Sequence, residues 1–351
     1  MAATSAAKPV VLVTGSDGLI GERLVRRLVR DYRVVGIDND PAPNFAGEEV
    51  AVCDLTDDKQ TADALRQVGE KYGRELASVV HLAAYYDFSG EPSPLYDELT
   101  VNGTRRLLEG LKAFEVAQFL FTSSLLVMEP CEHGETLTEA SPTRAEWAYP
   151  ESKLKTESLM EQYRGTIPMV VLRLAGVYDE QCHSVPIAQQ MKRIYEKELE
   201  SYFFPGNDQH GQSYIHLDDA VECLAAIVDK RRELDPFEVF LAGEADVVSY
   251  DELQEIIGEA CHGREWPSIR IPKSLAKVGA WVQNQLASDD EGEFIKPWMI
   301  DMADAHYPVD PRHLREKTGW SPRHSLRETL PEMVRVLRDK PDQWYEENGL
   351  S

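Results

Sequence analysis

The stretch Val10-Val11-Leu12-Val13-Thr14-Gly15-Ser16-Asp17-Gly18-Leu19-Ile20-Gly21 constrains this chain more than any other. A continuous apolar run reads as a buried parallel strand, and it stops at a glycine. Two further glycines follow at three-residue spacing as an amphipathic helix opens. Gly15 permits a tight turn, Gly18 lets backbone approach a pyrophosphate, and Gly21 lets helix and strand pack closely. The helix start adds unpaired N–H groups and a partial positive charge for phosphate oxygens. Three glycines alone say little. Set between a strand and a helix, they mark Gly15, Gly18, Leu19, Ile20 and Gly21 as the contacts of a dinucleotide.

The next apolar run, Arg33–Ile37, ends at Asp38, about 20 residues further on, where an acid that reads ribose belongs. A carboxylate there accepts from the adenosine ribose hydroxyls and repels a 2′-phosphate, and no Arg or Lys follows to reverse that choice. The expected cofactor is therefore NAD. The plainer alternative is that Asp38 caps a turn, as Asp-Asn-Asp-Pro sequences do. Asp54, after the third strand, either meets the adenine amino group or caps the helix that starts near Asp57.

Apolar runs alternate with helical patterns through the first half of the chain. Strands are expected at Val10–Val13, Arg33–Ile37, Val50–Cys53, Ser78–Leu82, Ala117–Thr122 and Ile167–Leu172. Helices are expected at Leu19–Arg30, Asp57–Lys71, Leu95–Ala113 and Tyr149–Arg164. Such alternation means an α/β fold, a Rossmann-type doubly wound parallel sheet covered on both faces. Beyond Leu172 the regularity fails. Helices are expected at Leu217–Lys230, Tyr250–Cys261, Ser274–Leu286 and Ser325–Arg338, strands at Phe237–Leu241 and Ile269–Ile271, and a mobile acidic loop at Ser288–Glu293. At 351 residues a second domain is expected. The reading assigns 1–175 and 213–242 to an NAD-binding domain, and 176–212 and 243–351 to a smaller interleaved C-terminal substrate domain.

Charge excludes some functions. The chain carries 37 Lys and Arg against 61 Asp and Glu, a net −24 that repels nucleic acid and anionic membrane. The five cysteines form no paired spacing, so neither a disulfide framework nor a metal site is indicated. The opening MAATSAAKPV lacks a signal-peptide core and no apolar run is long enough to span a bilayer, so a reduced cytoplasmic location is expected.

Of the 14 tyrosines, only Tyr149 has a lysine four residues later, Lys153. On a helix the two share a face one turn apart, and Pro150 sets Tyr149 near the helix start. A neighbouring ammonium and the helix N-terminus both favour the phenolate, so the phenol is expected to titrate closer to neutrality, as a general acid/base requires. Phe121-Thr122-Ser123-Ser124 ends the preceding strand at the edge where ligands bind in a parallel sheet. Ser124 is placed to hydrogen-bond a substrate oxygen, with Ser123 as the alternative.

Together these residues resemble the extended short-chain dehydrogenase/reductase superfamily, the NAD-dependent epimerase/dehydratase family. The resemblance runs over nearly the whole chain: the glycine turn, Asp38, Asp54-Leu55, His81-Leu82-Ala83-Ala84, Asn102-Gly103-Thr104, Ser123-Ser124, Tyr149 to Lys153, Leu172-Arg173, Tyr214 to Asp219 and Gly319 to Pro322. It implies Tyr149 as catalytic acid/base, Lys153 as its pKa-lowering and ribose-binding partner, and Ser124 as the group that polarises substrate. Asp54 and Leu55, with Leu82, Ala83 and Ala84, would border the cofactor. His216, Asp218 and Asp219 are read as structural, and Asn102 as a brace between sheet and helix. Pairing of the helices Leu95–Ala113 and Tyr149–Arg164 between subunits, by analogy, implies a homodimer.

The departures concern substrate. Gln212 stands where relatives acting on nucleotide sugars carry Arg, Gly176 where they often carry Asn, and a late Arg-x-Gly-Asp element is missing. Phosphate recognition relies on charge-assisted bonds, so these losses disfavour a diphosphate. Leu275, Val278, Trp281, Val282 and Leu286 offer an apolar stripe that lines a pocket or belongs to the core. The tail Ala305 to Asp310 resembles hydroxysteroid dehydrogenases and dihydroflavonol reductases. The expected activity is reversible hydride transfer between NAD and a secondary alcohol or ketone. Epimerisation or dehydration of a sugar nucleotide with retained NAD is the nearest alternative, and a non-catalytic NAD-binding regulator is the third.

Overall fold

The protein is described here by a computed structural model covering residues 8–87, 90–277 and 297–350. Seven strands form the central sheet: β1 (Val10–Thr14), β2 (Arg33–Asp38), β3 (Glu49–Val52), β4 (Ser78–His81), β5 (Phe119–Ser124), β6 (Met169–Leu174) and β7 (Phe237–Ala242). Their spatial order is β7-β6-β5-β4-β1-β2-β3, every neighbouring pair parallel. The winding reverses between β1 and β4, and in such sheets the crevice outside the carboxyl ends at that point receives ligand. This is the doubly wound α/β fold expected from the sequence. The register aligns the edge: Thr14 pairs with Ile37 and His81, and His81 with Phe121. Gly15, Asp38, Leu82 and Thr122 therefore follow one another across the same rim.

Both faces of the sheet are covered, so β1, β5 and β6 are buried at every residue and are mostly apolar, with polar residues toward their carboxyl ends. On one face α1 (Leu19–Leu28) and the later α6 (Leu217–Asp229) pack Leu24, Leu28, Leu224 and Val228 against the strands. On the other, α2 (Asp58–Tyr72), α3 (Thr104–Leu111) and α4 (Ala148–Gln162) bury Leu65, Leu107, Leu111 and Met160. A third apolar cluster stands apart from the sheet. It joins α5 (Val185–Glu196), α7 (Tyr250–His262), α10 (Leu326–Asp339) and α11 (Pro341–Glu347) through Ile187, Met191, Ile257, Trp266, Leu330 and Trp344. The short helices α8 (Pro297–Met302) and α9 (Arg312–Thr318) flank the tail between them. That tail crosses the carboxyl edge: Cys131 N–H donates to the His306 carbonyl (3.0 Å), Leu137 N–H to Pro308 (2.8 Å) and Ser213 N–H to Tyr307 (2.9 Å).

Some element bounds differ from expectation. The strands expected at Ala117–Thr122 and Ile167–Leu172 both run two residues later, to Ser124 and Leu174. The helix expected over Leu95–Ala113 is divided, with a π-helical segment at Tyr96–Gly103 preceding α3. There Thr100 offers its carbonyl to the hydroxyls of Thr104 (2.6 Å) and Thr156 (3.4 Å), so side chains satisfy a carbonyl that the wider turn frees. Of the helix expected at Ser274–Leu286, residues 274–277 are helical. Its remainder, with Val278, Trp281, Val282 and Leu286, lies outside the described residues, as does the acidic stretch 288–293. Leu275 is exposed. No described helix is long and apolar enough to cross a membrane, and all five cysteines are free.

Candidate active site

Gly15 adopts φ +67°, the left-handed region that a turn off a buried strand requires, and a Cβ there would meet the Ala83 backbone nitrogen at 2.8 Å. Gly21 presses against that turn from the helix side, where a Cβ would fall 2.0 Å from the Gly15 carbonyl oxygen. Gly18 is different. It caps α1 in extended backbone, and a Cβ there would touch only the Gly15 oxygen, at 3.4 Å. Packing within the protein explains Gly15 and Gly21 but not Gly18, which leaves room at the start of α1. Leu19 and Ile20 open the helix, with Leu19 exposed. The buried Ser16 hydroxyl has no hydrogen-bond partner among the described residues and lies beside a cavity of about 230 Å3 that Asp17, Asn44 and Phe45 also line. An orphaned hydroxyl, a bare glycine and free helix N–H groups on one turn fit a dinucleotide phosphate.

Around that turn the rim residues take their places. Asp38, half-buried at the end of β2, accepts from Asp17 N–H (2.9 Å) and Asn39 N–H (2.9 Å), so it caps the local turn and stands beside the glycine loop at once. Leu82 N–H donates to the Thr14 carbonyl (3.1 Å) and Ala83 N–H to the Thr14 hydroxyl (3.3 Å), which presses the half-buried Leu82, Ala83 and Ala84 against the glycine turn. Asp54 accepts from the backbone and hydroxyl of Thr56, both at 2.8 Å, while Asp57 caps α2 through Gln60 N–H. Leu55 buries its side chain against the α3 layer. His81 spans Thr14 (2.6 Å) and Thr104 (2.8 Å) beneath the rim, and burial brings it down to about 3, which keeps it neutral.

The Ser, Tyr and Lys residues expected to handle protons meet one strand over. Alternation along β5 separates its two serines. Ser123 donates to Glu157 (2.5 Å), which in turn holds Arg173 in a buried ion pair. Ser124 accepts from Leu126 N–H (3.2 Å) and stands beside the Tyr149 phenol, whose ionised form it favours. That geometry selects Ser124 over Ser123. Tyr149 is the second residue of α4, as Pro150 suggested. Lys153, one turn on and buried, donates to the Thr122 carbonyl (2.8 Å) and lies 5.7 Å from the Tyr149 ring centroid.

The electrostatics correct one expectation. Burial pushes the Tyr149 phenol well above its ordinary value, Tyr86 adds to the rise, and Ser124 opposes it. Burial also brings Lys153 down to about 7, against the pull of the Glu157 carboxylate. The ammonium was expected to draw the phenol toward neutrality. It sits across the ring rather than at the hydroxyl and spends a donor on Thr122, so desolvation wins.

Further aromatic side chains close around the phenol, and the sequence reading missed Trp147 and Tyr96 among them. Tyr86 meets Tyr149 edge-on at 4.9 Å, Trp147 lies 5.5 Å from it, and Tyr85 packs edge-on against Tyr96 at 4.8 Å. Trp147 immediately precedes the helix start, a position that gave the signal. Phe88 lies outside the described residues. Asn102 donates to Glu98 on its own segment (3.2 Å) and does not brace the sheet as expected. His216 caps α6, and Asp219 accepts from Arg323 N–H (2.9 Å) and His324 N–H (2.8 Å), both structural uses. His216, Asp218 and His324 are the one group of potential metal ligands among the described residues. Their two imidazoles are stacked 3.9 Å apart, which sets the nitrogen lone pairs in parallel planes instead of converging on an ion.

The sequence profile of the NAD dependent epimerase/dehydratase family matches residues 11–243. UDP-glucuronic acid decarboxylase 1 of Arabidopsis thaliana is 26% identical, over 97% of this chain and 72% of its own length. UDP-glucose 4-epimerase of Mycolicibacterium smegmatis is 24% identical, over 94% of this chain and 98% of its own. The fold is shared with the crystal structure of UDP-glucose 4-epimerase from Thermus thermophilus in complex with NAD, at a TM-score of 0.68 and 22% identity, covering 94% of this chain and 99% of that one.

Proposed function

The chain belongs to the NAD dependent epimerase/dehydratase family, with NAD as its cofactor, and we propose that Tyr149, Ser124 and Lys153 carry out reversible oxidation of a secondary alcohol on a sugar nucleotide. The observation that carries this reading is the convergence of those three side chains at the sheet edge that also holds the glycine turn. NAD supplies the two-electron acceptor. Tyr149 takes the hydroxyl proton as the carbinol C–H bond breaks and C=O forms, and returns it in the reverse direction. Ser124 holds the same oxygen, while Lys153, anchored on Thr122, supplies positive charge beneath the phenol. Gly15, Gly18, Leu19, Ile20 and Gly21 hold the pyrophosphate, Asp38 the adenosine ribose, and Asp54, Leu55, Leu82, Ala83 and Ala84 the remaining border of the cofactor.

Relatives matched over most of their length are named for UDP-linked sugars, which supports that substrate class and retention of NAD through a full cycle. The second reading is a free secondary alcohol or ketone with exchangeable NAD. Gln212 supports it: its side chain donates to the Tyr214 hydroxyl where a phosphate-reading guanidinium would stand. We assign 1–175 and 213–242 to the NAD-binding domain and 176–212 and 243–351 to the substrate domain, a division supported by the separate apolar cluster around Trp266. The reading is completed by a cytoplasmic homodimer joined along the outer faces of residues 96–111 and α4.

A substrate screen tests the choice. The protein is supplied with NAD and either UDP-glucose and UDP-glucuronic acid or a panel of apolar secondary alcohols. Conversion of a UDP-sugar without accumulation of NADH is expected. Net NADH from an apolar alcohol supports the second reading, and NAD binding without turnover in either panel contradicts both and leaves a regulator.

A further inference from the structure

We propose a second, non-catalytic ligand site: an arginine-lined cavity on the α1–α6 side of the sheet that binds a phosphate or diphosphate group. Arg23, Arg26, Arg27 and Arg30 recur at helical spacing on α1 and the turn after it, and Arg323 and His324 close the cavity from the segment before α10. Its volume is about 390 Å3, within the range of small-molecule sites. Five guanidinium groups in one concavity are unexpected on a chain of net charge −24.

Three carboxylates also line the cavity, and they do not cancel it. Asp219 spends its oxygen on Arg323 N–H and His324 N–H. Glu222 pairs with Arg27 (2.8 Å). Asp218, in the first turn of α6, remains as an opposing charge. Arg26 pairs with Glu22 on the exposed helix surface and Arg23 with Asp179 (3.2 Å). Arg30 and Arg323 pair with no carboxylate among the described residues, and both are exposed. A guanidinium presents paired N–H donors that match two phosphate oxygens, so this cavity offers two unspent forks and further arginines that can exchange partners. Size favours a small anion. Screening confines its attraction to within about 8 Å, whereas a long polyanion would also meet the acidic remainder of the surface.

Binding there also reaches the reaction edge. Arg23 ties α1, which opens on the glycine turn, to the buried Asp179, and Asp179 holds His183 (2.8 Å) ahead of α5. An anion that takes Arg23 competes with that tie.

The test uses the full chain saturated with NAD, so that the dinucleotide site is filled, and titrates it calorimetrically with inorganic pyrophosphate and, separately, with ADP. One saturable site per chain is expected, weakening as salt rises. In the double variant Arg30→Gln/Arg323→Gln affinity falls by at least about tenfold, the loss of charge-assisted bonds. Both side chains are exposed and without ion pairs, so the thermal midpoint should not move, and it is measured alongside. Tighter binding of ADP than of pyrophosphate identifies a nucleotide as the ligand, and equal or weaker binding identifies a free diphosphate; each supports the site. Absence of saturable heat with both probes, or equal affinity in wild type and the double variant, overturns it.

Discussion

A buried lysine one turn from a half-buried tyrosine makes a single proton the property of both. Phenol with amine and phenolate with ammonium have the same proton count, and only the first loss from the fully protonated pair separates inactive from active forms in the oxidising direction. Burial lowers Lys153 to about 7 and raises Tyr149, so that first loss falls near neutrality. The rate of alcohol oxidation should therefore rise from about pH 6 to about pH 8 and level off. In Lys153→Met the remaining group is the desolvated phenol, and the rise should move above about pH 9. A variant whose residual activity keeps the limb near neutrality would assign the titration to another group. The residue types and their spacing were legible in the sequence, because a Tyr four positions before a Lys has one meaning on a helix. The direction of the phenol shift was not, since desolvation depends on Tyr86 and on how the rim closes. Likewise Ser123 and Ser124 separate only once the phase of β5 is known.

Gly18 and Gly21 lie on one element and serve different partners. Gly21→Ala drives a methyl into the Gly15 carbonyl, so α1 must lift from the sheet. A loss of about 1–3 kcal/mol is expected in denaturant unfolding, along with weaker NAD binding. Gly18→Ala has room in the protein and backbone that alanine adopts readily. Its stability should stay within about 1 kcal/mol of wild type while NAD affinity falls. Equal destabilisation by the two, or undiminished NAD binding in Gly18→Ala, would contradict the division of roles. Elements of this first half were legible because a strand buried on both faces and a helix buried on one have distinct periods. The π-helical segment Tyr96–Gly103 was not, since its wider turn is held by hydroxyls from Thr104 and from Thr156, more than 50 residues away. The two-residue advance of β5 had the same origin: its pairing with β6, not its apolar content, carries it to Ser124.

Over the whole molecule, the parallel sheet collects residues that the sequence keeps apart. Gly15, Asp38, Leu82, Ser124 and Tyr149 belong to five separate segments of the chain, and only the strand order and register bring them to one rim. The alternation of elements announced such a sheet. The second half was harder to read, because its core forms between helices distant in sequence and around Trp266 and Trp344, which no local period marks. On the proposed mechanism, Tyr149 moves the proton that accompanies oxidation at this rim. Its most direct test is rapid mixing of the NAD-loaded protein with a converted substrate, following the absorbance of reduced nicotinamide during the first turnover in wild type and in Tyr149→Phe. The first-turnover rate should be lower by about a hundredfold or more in the variant, with cofactor still bound. Equal rates in the two proteins would contradict it.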